Sequence, residues 1–192
     1  MYHDLVRNAN FWLFLLAVDQ DLARSARQKN CTCGGRLHRA DYPRKPRGGE
    51  NLPDEYGYRL SFCCDEDGCR KRVTPPSVRF LGRKVYLGAV VVLVVAMQQG
   101  PSPKRVAKLS ELFGADRRTI VRWRAFWTEY FPQTPFWKVA RGSLRAASDA
   151  TPLPLALVQA FVHAEELHES VRRLLCFLSP ITVIGGLQSG IS

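Results

Sequence analysis

The chain has no apolar run long enough to cross a membrane. Its longest such run, Val85–Met97, is well short of the ~20 residues that a bilayer-spanning helix needs. The apolar stretch Phe11–Val18 lacks the strongly basic start and the small-residue cleavage site of a secretory signal. We therefore expect no membrane partner and a cytoplasmic location, where a reducing environment keeps cysteines as thiols.

Groups that catalysis needs are also scarce. The chain has four histidines, and none of them stands with nearby carboxylates in a pattern that supplies a general base or a catalytic metal. The six cysteines contain no C-x2-C motif, which disfavours a redox pair. The sequence therefore predicts that the protein is not an enzyme. The alternative is an enzyme such as a nuclease.

Acidic residues are few, since 17 Asp and Glu stand against 28 Lys and Arg, for a net charge of +11. The basic excess lies in the middle of the chain: residues 101–145 hold ten basic and three acidic side chains, and residues 31–84 hold twelve and seven. Such a charge favours an anionic partner, although a solubilising surface would produce it equally well.

Five of the six cysteines lie in one stretch of the chain. Cys31 and Cys33 form a C-x-C turn followed by two glycines, and a second group, Cys63, Cys64 and Cys69, follows later. Two thiol pairs on two turns can complete a tetrahedral site that leaves no open position for a substrate. We predict a structural zinc ion held by Cys31, Cys33, Cys64 and Cys69, in which Cys63 competes with Cys64 for the third place.

Strand geometry limits that competition. The segments Tyr58–Cys63 and Arg70–Thr74 are predicted as short strands on either side of the second cysteine turn. Neighbouring residues of a strand point to opposite faces, so only one of Cys63 and Cys64 should bind the metal. The alternative is a set of ordinary buried or free thiols. His38 is expected on the surface rather than as a ligand.

A helix-turn-helix pattern runs from Val106 to Trp123. This motif has apolar residues at its fourth, eighth, tenth, fifteenth and eighteenth places, a small residue at the fifth and a glycine at the ninth. With Gly114 at the ninth place, Ser110 fills the fifth and Asp116 is placed to cap the second helix. The apolar places are filled by Leu109, Phe113, Ala115, Ile120 and Trp123.

The second helix of this pattern, predicted over Arg117–Phe131, separates into two faces. Apolar side chains at helical spacing should pack inward: Ile120, Trp123, Trp127 and Tyr130. The N-terminal residues of a recognition helix meet base edges, and the arginine fork pairs with guanine O6 and N7. We therefore predict base contacts by Arg117, Arg118 and Arg122, and phosphate contacts from the first helix, Lys104–Phe113, by Lys104, Arg105 and Lys108. The alternative is a helical hairpin with a solvated basic face.

The two motifs occur in a familiar order. A C-x-C-G-G turn from Cys31, a C-x4-C knuckle from Cys64 and the run R-K-R-V-T-P directly after Cys69 precede the helix-turn-helix. Over residues 31–131 this order resembles the zinc ribbon and helix-turn-helix at the start of many insertion-sequence transposases. The resemblance implies zinc at the four cysteines and DNA contact by the second helix of the pair.

The resemblance does not extend to catalysis. Transposases of this kind carry a ribonuclease-H-like domain with three spaced carboxylates, whereas only about 60 residues follow the motif here. Their acidic residues are Asp149, Glu165, Glu166 and Glu169, and the three glutamates fall on one predicted helix, which is more often a solvated face than a two-metal site. We expect a DNA-binding part without the catalytic domain, such as a subunit, a regulator or a relic of a mobile element.

The predicted fold class is α+β, mainly α. An N-terminal helix occupies residues 1–30, a zinc-ribbon-like module residues 31–77, a three-helix helix-turn-helix unit residues 82–135, and a C-terminal helix and tail residues 150–192. Within the third segment, the β-branching of Tyr86–Gln99 favours a strand and its length favours a helix; we predict a helix.

The predicted function is sequence-specific binding of double-stranded DNA, in the nucleoid, without catalysis. A final helix over Leu155–Leu178 is expected to provide a homodimer contact, which would suit a palindromic site. The alternative is a zinc-dependent protein-interaction module of a mobile-element or regulatory complex.

Overall fold

The computed structural model describes residues 2–49, 52–81, 87–96, 107, 110–111, 114–144, 151–161 and 164–183. Over these residues the protein is α+β and mainly helical, with two small sheets. The helices are α1 (Tyr2–Arg7), α2 (Ala9–Gln28), α3 (Gly88–Ala96), α4 (Arg117–Ala125), α5 (Pro135–Ala140), α6 (Leu155–Phe161) and α7 (Leu167–Leu178). Shorter turns are 3₁₀-helical (Asp54–Gly57, Phe131–Gln133, Arg141–Ser143, Ala164–Glu166, Ser179–Thr182) or π-helical (Phe126–Tyr130).

Five short strands lie between α2 and α3: β1 (Leu37–Arg39), β2 (Tyr42–Pro43), β3 (Tyr58–Arg59), β4 (Phe62–Cys64) and β5 (Arg72–Val73). One antiparallel sheet has the order β1-β4-β5, and β2 and β3 form a second antiparallel pair. The predicted strand over 58–63 is therefore divided into two strands. It breaks at Ser61, whose backbone N–H donates to the Asp41 carboxylate at 2.9 Å rather than to a neighbouring strand.

α2 is the long amphipathic helix that the sequence predicts near the N-terminus. Asn8 caps it by accepting from the Asn10 N–H at 2.9 Å. Asn30, in a left-handed conformation with φ 55°, turns the chain away two residues after its end. One face of the helix is buried along its length: Phe11, Trp12, Leu15, Leu16, Asp19 and Ala23.

The main hydrophobic core takes side chains from all seven helices, together with Tyr56 and the segment Val78–Leu81. The predicted segments 1–30, 82–135 and 150–192 thus share one core. A second, smaller cluster lies under the three-stranded sheet and consists of Ala23, Cys31, Leu37, Phe62 and Cys64. α2 therefore contributes to both clusters, to the main core along most of its length and to the small one through Ala23.

The described part of the apolar run Tyr86–Gln99 is a helix, as predicted. α3 covers Gly88–Ala96, and the side chains of Leu87 and of Ala89–Val92 are buried. A helical segment whose consecutive side chains are all buried needs no polar face, so an uninterrupted apolar run is compatible with a helix.

The backbone of residues Tyr42–Gly49 contacts the start of α3. The Arg47 carbonyl accepts from the N–H of Leu87, the residue before the helix, at 3.0 Å. Gly48, at φ 94°, lies so close to Val90 that an added Cβ would stand 3.0 Å from Val90 Cγ1. The basic side chains of this segment are thus attached to a packed backbone.

The prediction of a single helix over Leu155–Leu178 is wrong. It consists of α6 and α7 with a 3₁₀ turn, Ala164–Glu166, between them. The two helices pack against each other, and the rings of Phe161 and Phe177 lie 5.1 Å apart. A fold-back lets both apolar faces enter the core, which one straight helix cannot do.

A buried ion pair joins the sheets to the helices. Asp19 of α2 and Arg79 are both fully buried, with Arg79 Nε 2.7 Å from Asp19 Oδ2. Asp19 also accepts from Ser77 Oγ and from the Val78 N–H, both at 2.6 Å. Arg79 donates in turn to the carbonyls of Glu55 at 3.2 Å and Tyr58 at 3.3 Å. Each buried polar atom of the pair thus has partners, as burial of charge requires.

Candidate metal centre and nucleic-acid interface

Four thiols from two turns that are far apart in the sequence meet at the end of β4, of which Cys64 is the last residue. The sulfur atoms of Cys31, Cys33, Cys64 and Cys69, the thiol cluster, all lie within 4.8 Å of one another. Cys33 Sγ and Cys64 Sγ are 3.4 Å apart, and Cys31 Sγ and Cys69 Sγ are 3.7 Å apart. All six cysteines of the chain are free thiols.

These spacings fit a tetrahedral thiolate site. A Zn–S bond of ~2.3 Å in tetrahedral geometry separates neighbouring sulfurs by ~3.8 Å, close to the distances of the pairs Cys31–Cys69 and Cys33–Cys64. Four thiolates are a donor set that suits zinc and leaves no position for a substrate. The cluster could therefore hold a metal ion, and its chemistry is that of a structural site.

The backbone of each turn is arranged to stabilise thiolates. N–H groups two residues beyond three of the cysteines donate to the sulfurs: Cys33 to Cys31, Glu66 to Cys64, and Lys71 to Cys69. The turns themselves are closed by backbone bonds from Gly34 N–H to the Cys31 carbonyl and from Cys69 N–H to the Glu66 carbonyl, each at 2.9 Å. Hydrogen bonds to the charged form of a thiol favour that form.

The pKa values of Cys31 and Cys64 shift in opposite directions. The backbone N–H of Cys33 is the main cause that lowers the pKa of Cys31 to about 6. The N–H of Glu66 favours the Cys64 thiolate, but burial and the thiols of Cys33 and Cys31 outweigh it and raise the pKa of Cys64 to about 12. A thiolate in the cluster opposes the ionisation of the neighbouring thiols. A bound cation would offset this repulsion and stabilise the thiolates.

Gly35 makes the close approach of the two turns possible. A Cβ at this position would lie 2.6 Å from Cys64 Sγ and 3.1 Å from Glu66 Cβ. Only glycine therefore fits where the first turn passes over the second. The sequence places two glycines after Cys33, but the contact of Gly35 with Cys64 depends on the pairing of β1 with β4.

The structure places Cys64 rather than Cys63 in the thiol cluster. Cys63 pairs with His38 and Arg72 across the sheet and lies on the opposite face, with its Sγ 3.4 Å from the Arg70 carbonyl. His38 is exposed and outside the cluster, and its Nε2 lies 3.2 Å from an Asp65 carboxylate oxygen. The assignment of zinc to the four cysteines stays a prediction.

α4 is the second predicted helix of the helix-turn-helix pattern. Asp116 caps it by accepting from the Thr119 N–H at 2.7 Å, and this bond lowers the pKa of the Asp116 carboxyl. Gly114 has φ 58°, a left-handed conformation that favours glycine and reverses the chain before the helix. Ala115 beside it is buried.

The two faces of α4 lie as their spacing predicts. Ile120 and Trp123 are buried in the main core. Arg117, Arg118 and Arg122 are exposed on the other side. The Arg122 guanidinium donates to the hydroxyl of Thr119 at 3.1 Å, a contact within the helix that the sequence pattern does not predict. Base contact by these arginines stays a prediction.

The end of the predicted helix Arg117–Phe131 differs from expectation. α4 ends at Ala125 and continues as a π-helical turn, in which the Phe131 N–H donates to the Phe126 carbonyl. The wider turn brings Phe126 onto the face of Trp127 and Phe131, and all three are buried. Tyr130, which was expected to pack inward, is instead 45% exposed.

The first helix of the pattern falls largely outside the described residues. Ala107, Ser110 and Glu111 are helical. The predicted phosphate contacts, Lys104, Arg105 and Lys108, lie outside the described residues, as do the apolar positions Leu109 and Phe113.

Comparison with family models, curated proteins and solved structures finds no match to this chain. Among the described helices, none combines the length and the apolar character that a bilayer span requires. Fold and site define a mainly helical α+β protein with a four-cysteine cluster that could hold a metal ion. Its function must be inferred from its own side chains.

Proposed function

We propose that the protein binds double-stranded DNA sequence-specifically, without catalysis, as a transposase-related or regulator-like DNA-binding protein with a structural zinc ion. The observation that carries the proposal is the two-faced character of α4. Its apolar side chains Ile120 and Trp123 are held in the core, and the guanidinium groups of Arg117, Arg118 and Arg122 extend from its exposed side. A helix of that form, anchored on one side and basic on the other, suits the major groove.

Three further features support the proposal. A capped N-terminus at Asp116 and a left-handed turn at Gly114 stand where a helix-turn-helix requires them. The net charge of +11 provides the phosphate neutralisation on which DNA affinity depends. The thiol cluster would provide a metal site that orders the small sheet, in a module with little core of its own.

The experiment that tests DNA binding is selection of bound duplexes from a random pool, followed by titration of the selected duplex at several salt concentrations. We expect log K to fall linearly and steeply with log salt. Arg122→Ala should relax the preference for one base pair by about 1–3 kcal/mol. The matched control is Arg24→Ala, which removes an exposed guanidinium from α2 instead.

A flat salt dependence, or no affinity at low salt, would contradict the proposal and favour a zinc-dependent protein-interaction module. Equal loss of sequence preference in both variants would remove the role of Arg122. Incubation of the protein with plasmid and magnesium tests the absence of catalysis, and we expect the plasmid to remain intact.

A further inference from the structure

An apolar side chain lies in the middle of the exposed face of α4. Val121 is 58% exposed, and helical spacing surrounds it with guanidinium groups. Arg117 and Arg118 stand one turn before it, Arg124 stands one turn after it, and Arg122 is the next residue along the chain; all four are exposed. The face that we propose to meet DNA is therefore basic with an apolar centre.

Val121 does not contribute to the buried face of α4. The buried side of α4 is formed by Thr119, Ile120 and Trp123, and a valine at an exposed helical position is restricted at χ1 and has a lower helix propensity than alanine or lysine. Single exposed apolar residues are common on protein surfaces. The informative feature here is the position of Val121 on a capped helix, at the centre of four arginines.

The duplex offers a partner for such a side chain. In the major groove, thymine presents a C5 methyl group, the only apolar group on the base edges, and guanine presents the O6 and N7 acceptors that an arginine fork pairs with. Valine is short, so its contact falls where the helix approaches the bases most closely. The longer arginines reach the base pairs on either side.

We propose that Val121 determines specificity by contacting a thymine methyl group, so that the target duplex carries a thymine beside a guanine read by one of the arginines. This inference rests on the proposed DNA binding and deepens it. Val121 would add an apolar contact to a recognition surface that is otherwise basic. The surface would fit a step in which thymine and guanine are neighbours.

The test uses the full chain loaded with zinc and the duplex selected from a random pool. Each thymine is replaced singly by uracil, which removes the methyl group and leaves the base pair intact. We expect one replacement to weaken binding about fourfold, the factor that corresponds to burial of one methyl group. In Val121→Ala the same replacement should have no effect, because the contact has already been lost.

Val139→Ala is the matched control, since Val139 is 83% exposed on α5 and the substitution is identical. It should discriminate between thymine and uracil as the unsubstituted protein does. If no uracil replacement weakens binding, or if Val121→Ala still discriminates, the inference is overturned while DNA binding stands. If the protein binds no duplex at low salt, the proposed function fails and this inference with it.

Discussion

At the scale of single residues, the ion pair of Asp19 and Arg79 connects segments that are far apart in the chain. Its two charges are completely buried and joined at 2.7 Å, and they tie α2 to the carbonyls of Glu55 and Tyr58. The Arg79 guanidinium also lies 4.9 Å from the centre of the Tyr56 ring, whose hydroxyl donates to the Trp12 carbonyl. Removal of one partner would leave a buried charge without compensation.

We expect Asp19→Asn to lower the free energy of unfolding by about 3–5 kcal/mol, the usual cost of breaking a buried pair. Urea denaturation followed by circular dichroism measures this. Asp21→Asn is the control, because Asp21 pairs with Arg24 on the surface of the same helix, and it should change stability by about 1 kcal/mol or less. Similar effects of the two substitutions would contradict the structural importance of the buried pair.

A second prediction at this scale concerns Gly35. Gly35→Ala should weaken zinc binding, because its Cβ would displace Cys64 Sγ from the thiol cluster. Zinc content after dialysis against a competing chelator measures the effect. In the control Gly68→Ala, the added Cβ meets nothing within 4 Å, although Gly68 lies in the same cysteine knuckle. Full zinc retention in Gly35→Ala would show that the cluster is not the site.

At the scale of secondary-structure elements, α7 carries a pH-dependent contact. Glu169 accepts from Arg172, with Nε at 2.7 Å, and from Arg173 at 3.1 Å. Hydrogen bonding to Arg172 is the main cause that lowers the pKa of Glu169 to about 2. Because the folded state holds this carboxyl below its ordinary pKa of 4.5, the ionised form stabilises the fold.

That stabilisation is complete above pH 4.5 and is lost as the pH falls towards 2. We expect Glu169→Gln to be less stable than the unsubstituted protein at neutral pH, with a difference that shrinks across this range. Thermal melting at a series of pH values measures it. Glu165→Gln, at an exposed position in the preceding turn, is the control. A difference independent of pH would contradict the assignment.

Elements also decide which surfaces are available to partners. The apolar residues of α7, Val171, Leu174, Leu175 and Leu178, are buried in the core of the single chain. A homodimer through this helix, as the sequence predicts, would need its exposed side or a rearrangement. On α4, in contrast, the arginines are exposed and therefore available to a partner, while Ile120 and Trp123 pack the helix against the core.

At the scale of the whole molecule, two hydrophobic clusters of unequal size predict unequal responses to metal removal. The small cluster contains Cys31 and Cys64 themselves, whereas the main core contains no member of the thiol cluster. We expect chelation of zinc to unfold the small sheet and to leave the helical core folded. Calorimetry should show the loss of one transition and the persistence of another.

Substitution separates this effect from a general loss of thiols. Cys64→Ser should abolish zinc binding and reproduce the effect of chelation. Cys63→Ser is the control, because Cys63 lies on the opposite face of β4 and outside the thiol cluster. A melting curve that chelation leaves unchanged would remove zinc from the proposal.

Several features could be predicted because they depend on residues near one another in the chain. The buried stripe of α2, the cap at Asp116 and the opposed faces of Ile120 and Arg122 follow from helical periodicity and local hydrogen bonding. The choice of Cys64 over Cys63 as a member of the thiol cluster agrees with strand alternation. In each case the neighbours that matter stand within a few residues.

Other features depend on packing between distant segments. Asp19 stands four residues after Leu15 and four before Ala23, which assigns it to the buried face of α2 in spite of its charge. Its partner Arg79 is 60 residues away, and no local pattern pairs the two. The fold-back between α6 and α7 and the exposure of Tyr130 also depend on packing between distant segments, because the space available in the core determines both. Periodicity assigns a side chain to a face, but the contacts of that face form only when remote parts of the chain come together.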